Sequence, residues 1–96
     1  MAARPRHSWS EGDDLVAFYM SRHGTRFLPL TEGGITTALG MPEGSLNMRQ
    51  GNFGHLDNKE GLSHVAEQSR RVYERYKLAS EPELRSMVLR LLKRDS

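Results

Sequence analysis

Apolar side chains recur three and four residues apart in five stretches of the chain, and each stretch carries a start or stop signal for a helix. In the first, Leu15, Phe18, Tyr19 and Arg22 keep the helical interval, with Val16 and Met20 at its margin. Ser10 caps this helix with Asp13 three residues on, and Asp13 and Asp14 suit the positive end of its dipole. Trp9, just before the cap, is placed to staple onto Leu15, and Gly24 stops the helix after about Arg22. A second helix follows from Thr31, with Ile35, Ala38 and Leu39 inward and Gly40 as its left-handed stop. Met41 and Pro42 then lead into a third, from about Glu43 to Phe53, with the proline where a first turn tolerates a missing N–H. Two short helices joined by a glycine-containing turn are the sign of a helix-turn-helix, whose second helix usually enters the DNA major groove.

Residues 54–63, GHLDNKEGLS, read as a loop. Ser63 then starts a fourth helix, ending near Leu78, with Val65, Ser69, Val72 and Tyr76 on one face and Tyr73 beside them. Ser80 and Glu83 form a capping box with Pro82 in the first turn, opening a fifth helix whose inner stripe is Leu84, Met87, Val88 and Leu91. Leu89 and Leu92 widen that stripe, which implies contact on more than one side, by burial in the monomer or by pairing of two copies through this helix. The expected fold is all-α, about five helices with a central helix-turn-helix, forming one domain over residues 9–94 behind a flexible basic arm at 1–8.

The third helix divides into two sides. At 100° per residue, Leu46, Gln50 and Phe53 share the docking side, while Ser45, Met48, Asn52 and His55 fall opposite, with Asn47 and Arg49 at the borders. Asparagine matches the edge of adenine, and arginine reaches guanine or a phosphate. The expected base contacts are Asn47, Met48, Asn52 and His55; the expected phosphate contacts are Ser45, Arg49, Arg22, Arg26, Lys59 and Arg71. A solvated face on an ordinary helix has the same pattern. Gly44 and Gly51 weaken this helix and also allow another backbone to approach it closely.

Charge modifies the picture. The formal net charge is +2, but residues 31–60 carry two basic side chains against four acidic ones, while residues 61–96 carry eight against five. Phosphate contacts therefore have to come largely from the flanks of the reading segment. With no cysteine there is no disulfide, thiolate nucleophile or zinc finger. No apolar run approaches the roughly 18 residues of a membrane span, and the opening residues lack the apolar centre of a secretory signal. A cytoplasmic chain without membrane contact is expected. The four histidines lack metal-ligand spacing, no nucleophile elbow or phosphate-cradling glycine motif occurs, and neither a cofactor nor an enzyme activity is expected.

Gly40, Pro42, Asn52, Phe53, Leu56 and Asp57, followed by Gly61, Leu62, Ser63, Arg71, Val72 and Tyr73, give most of residues 9–78 a pattern that resembles the amino-terminal helical region of HNH-type restriction endonucleases acting on modified DNA. The resemblance implies a module that binds double-stranded DNA, with a modified base as one target and restriction or phage defence as its setting. The catalytic HNH region has no counterpart in this sequence, so cleavage does not carry over. The alternative function class is a small helical protein-interaction adaptor that uses the broad apolar face of the last helix.

Overall fold

The computed structural model describes residues 9–57 and 67–94, which form five helices: α1 (Glu11–His23), α2 (Glu32–Leu39), α3 (Glu43–Asp57), α4 (Glu67–Tyr76) and α5 (Glu81–Arg94). No strand occurs among the described residues. The basic arm expected at 1–8, Lys59, and the Ser63 and Val65 start of the fourth helix lie outside them.

Local chemistry sets the helix ends where the capping residues place them. The Asp13 N–H donates to Ser10 Oγ at 3.0 Å and the Ser10 N–H to Asp13 Oδ2 at 3.1 Å, a reciprocal capping box at the start of α1. Thr31 accepts from the Gly34 N–H at the start of α2, and Ser80 and Glu83 repeat the reciprocal pattern at α5. Gly40 ends α2 at φ 71°, ψ 35°, a left-handed conformation that a Cβ would penalise, and its N–H returns to the carbonyls of Thr36 and Thr37. This stop turns the chain sharply from α2 into α3 and makes the pair a helix–turn–helix.

The centre of the molecule is α1 rather than that pair. Every residue from Asp13 to Met20 is buried, so α1 is enclosed on all sides by α3, α4 and α5 instead of presenting one apolar stripe. Phe18 is the hub: the Phe53 ring of α3 lies 5.3 Å away, and Tyr73 of α4 meets it edge-on at 5.9 Å. Ile35 and Leu39 of α2, Leu46 of α3, Val72 of α4, and Leu84, Val88 and Leu92 of α5 complete the core. On α5 the inner stripe is therefore Leu84, Val88 and Leu92; Met87 and Leu91 are half-buried.

A charged ladder fixes how α3 lies on α1. On α1, Asp14, Phe18 and Arg22 are four apart and share one side; on α3, Arg49, Phe53 and Asp57 do the same. Each meets the residue 35 positions away: Asp14 with Arg49 at 2.8 Å, Phe18 with Phe53, and Arg22 with Asp57 at 2.7 Å. Because the three contacts follow the same order on both helices, α1 and α3 run in the same direction. The opposite direction would set Asp14 against Asp57 and Arg22 against Arg49, so the ladder selects both register and polarity by like-charge repulsion. It also explains why α3 continues to Asp57, four residues past the expected end at Phe53: the last turn is held by Arg22, which donates from Nε and Nη2 to both Asp57 oxygens and from Nη1 to the Lys77 carbonyl.

Candidate nucleic-acid interface

The inner half of α3 is fully committed. Asp14 has no solvent exposure, yet its carboxylate accepts four hydrogen bonds: from Arg49 Nε (2.8 Å) and Ser69 Oγ (2.8 Å) on one oxygen, and from Arg49 Nη2 (3.3 Å) and Gln68 Nε2 (2.6 Å) on the other. Gln68 also donates to the Trp9 carbonyl, and the Arg49 guanidinium lies 4.5 Å from the centre of the Trp9 ring. No buried side-chain nitrogen or oxygen among the described residues lacks a hydrogen-bond partner. This arrangement ties α1, α3 and α4 together through one carboxylate.

Two expected phosphate ligands therefore have structural roles instead. Arg49 is bound to the buried Asp14, and Arg22 forks onto Asp57 while its guanidinium packs 4.4 Å from the Phe18 ring centre. Hydrogen bonding to Asp57 raises the Arg22 pKa above its already high ordinary value, against the opposing effect of burial. Releasing Arg49 to a phosphate would strand the enclosed Asp14 carboxylate, and releasing Arg22 would give up the part-buried fork that holds the last turn of α3.

The outer half of α3 is open. Gly44, Asn47, Met48 and Gly51 lie on the exposed side, opposite the buried Leu46 and Phe53, and Met48 is 77 % exposed. Ser45 and Asn52, seven residues apart, lie half-buried along one border. A Cβ built on Gly44 or Gly51 would meet nothing within 4 Å, so bare helix backbone faces outward one turn before and one turn after Asn47 and Met48. The His55 side chain and Lys59 are outside the described residues.

The other expected phosphate ligands are dispersed. Arg26 is exposed in the α1–α2 connection, with its guanidinium 5.9 Å from the centre of the Phe27 ring, which Arg85 flanks at 5.2 Å. Arg71 is exposed on α4, 3.7 Å from Glu67, and lines a groove whose described residues belong to α1, α4 and α5. Among the described residues no group of three or more His, Asp or Glu side chains is gathered to hold a metal, and no helix is long and apolar enough to cross a membrane.

Comparisons with protein-family models, with curated proteins and with solved structures each find no match.

Proposed function

We propose that this chain is a non-catalytic, double-stranded DNA-binding module that lays the outer side of α3 in the major groove. The observation that carries the reading is the division of α3: its inner side is locked to α1 by the ladder, and its outer side presents Asn47 and Met48 between two glycines. An asparagine amide pairs with the donor and acceptor edge of adenine, and an exposed methionine offers apolar contact to a thymine methyl. The glycines let a groove wall come within van der Waals reach of the helix backbone. Asn52 and Ser45, on the border, complete the contact strip, with His55 in the next turn. Ser45, Arg26, Arg71 and Lys59 remain as the phosphate ligands in this proposal; Arg22 and Arg49 do not. The resemblance of residues 9–78 to the helical region of modification-dependent endonucleases supports modified DNA as the target and a role in restriction or phage defence.

The test is fluorescence anisotropy of a labelled duplex library, with and without modified cytosine or adenine, at 50 mM and 200 mM salt. With two or three phosphate contacts, affinity should fall by about ten- to forty-fold between those concentrations. Failure to bind any duplex at the lower concentration would refute the proposal. Equal binding of modified and unmodified duplexes would remove its modified-base part alone.

A further inference from the structure

A groove of about 910 Å³ opens between the first turns of α1, one side of α4 and the outward side of α5. Its floor is apolar: Leu15 from α1, Val72 and Tyr76 from α4, and Met87 and Leu91 from α5. The apolar breadth of α5 thus has two destinations, with Leu84, Val88 and Leu92 turned into the core and Met87 and Leu91 left for the groove. The rim carries four arginines, Arg70, Arg71 and Arg75 on the α4 side and Arg90 on the α5 side. Three glutamates accompany them, of which Glu67 is engaged by Arg71 and Glu74 by Lys77. With Arg71 and Glu67 paired and Glu74 held by Lys77, the rim keeps a basic excess on its α4 and α5 sides, with Glu11 at the α1 end.

We infer that this groove docks an amphipathic helix of a partner protein, with its apolar side on the floor and acidic residues along its flanks. The dimensions suit that occupant. The long wall is α4, lined from Glu67 to Tyr76, ten residues or about 15 Å at 1.5 Å per residue, which matches about three turns of a docked helix, and Met87, Arg90 and Leu91 face it from α5. The charge suits it as well: arginine forks engage carboxylates in pairs, and arginine around an apolar centre is the composition of a protein-binding patch rather than of an unused surface. A DNA backbone would satisfy the arginines but leave the half-buried Tyr76, Met87 and Leu91 of the floor in contact with water. A second copy docked through the same patch would place one arginine-rich rim against another. The described lining residues belong to helices other than α3, so the groove can be filled while the outer side of α3 is in use.

The experiment uses the 96-residue chain and two labelled synthetic helices of about 15 residues. Both carry leucines at i, i+3, i+4, i+7 and i+11; one is flanked by glutamates and the other by lysines. The glutamate peptide is expected to bind at least about tenfold more tightly than its lysine counterpart. Combining Arg75→Glu with Arg90→Glu should reverse that preference, and Met87→Glu should abolish both, with circular dichroism showing unchanged helix content and thermal midpoint. Equal binding of the two peptides, binding of neither, or a preference unmoved by the charge reversal would overturn the inference. So would concentration-dependent self-association in sedimentation velocity that Met87→Glu removes, which would assign the groove to a second copy. The peptide titration contains no nucleic acid, so its outcome is independent of whether α3 binds DNA.

Discussion

Replacing Arg49 by alanine isolates the energetic role of the ladder. In the substituted chain Asp14, fully enclosed, would keep hydrogen bonds from Ser69 and Gln68 but lose its countercharge and two of its four donors. Breaking a buried pair from one side typically costs about 3–5 kcal/mol because the stranded charge stays desolvated. A chain of 96 residues has a total stability of about 5–15 kcal/mol, so the loss is a large fraction of the whole, and a thermal midpoint should fall by at least about 12 °C. Asp14→Ala should cost less, since the Arg49 side chain retains 17 % exposure and can turn toward water. Urea unfolding of the two single variants and the double variant, followed by circular dichroism, gives a coupling energy expected at about 2–3 kcal/mol. A loss below about 1 kcal/mol for Arg49→Ala, the value of a surface pair, or a coupling near zero would refute the buried-hub assignment.

Other consequences can be measured alongside. Arg22→Ala, at a pair with side chains 23 % and 29 % exposed, should cost about 2 kcal/mol, between the surface and buried limits, in the same urea experiment. Gly51→Ala should raise stability by about 0.5–1 kcal/mol, because it replaces a helical glycine with open space around the new methyl group. If the groove wall approaches α3 closely, that substitution should also weaken duplex binding, and unchanged affinity would contradict the approach. Burial, reinforced by the hydrogen bond that Tyr19 donates to Glu81 at 2.7 Å, pushes the Tyr19 phenol up to about 12, above its unfolded value near 10. The folded state favours the protonated phenol, so this contribution to stability is complete below pH 10 and is lost as pH rises toward 12. Absorbance titration should show a phenol ionising at about 12, and Tyr19→Phe should remove that step. Asn47→Ala and Asn52→Ala should each reduce discrimination between DNA sequences by about 1–3 kcal/mol in competition binding, with the exposed Asn47 at the upper end.

The starts of α1, α2 and α5 and the stop of α2 were legible in the sequence because caps are local chemistry, whereas the stop of α3, which has no such local signal, was not. Ser10 with Asp13, Thr31, Gly40, and Ser80 with Glu83 all bond within a few residues of themselves. The docking side of α3 was legible too, from Leu46 and Phe53, but its outward side is rotated from the expected one: Asn47, placed at a border, is exposed with Met48, while Ser45 and Asn52, placed outward, are half-buried. The ladder was not, because each partner lies 35 residues away and each member has an ordinary local explanation. Asp14 in a first turn resembles a dipole acid, and Arg49 on a helix border resembles a phosphate ligand. One signal was present: Asp14 and Arg22 flank Phe18 at intervals of four on a core-facing side, where a charge requires a partner, and Arg49 and Asp57 flank Phe53 in the same way. The α5 stripe was misplaced by one position because its apolar residues cover two sides, and periodicity alone does not say which side faces the core and which the groove.

Backbone-amide NMR of the labelled chain, titrated with a bound duplex, tests the assignment of α3 most directly. If its outer side enters the groove, the largest shifts fall on Gly44, Asn47, Met48 and Gly51, while the Asp14 and Phe18 amides move little. Shifts confined to α4 and α5, with α3 silent, would contradict the claim that this helix is the one that meets DNA.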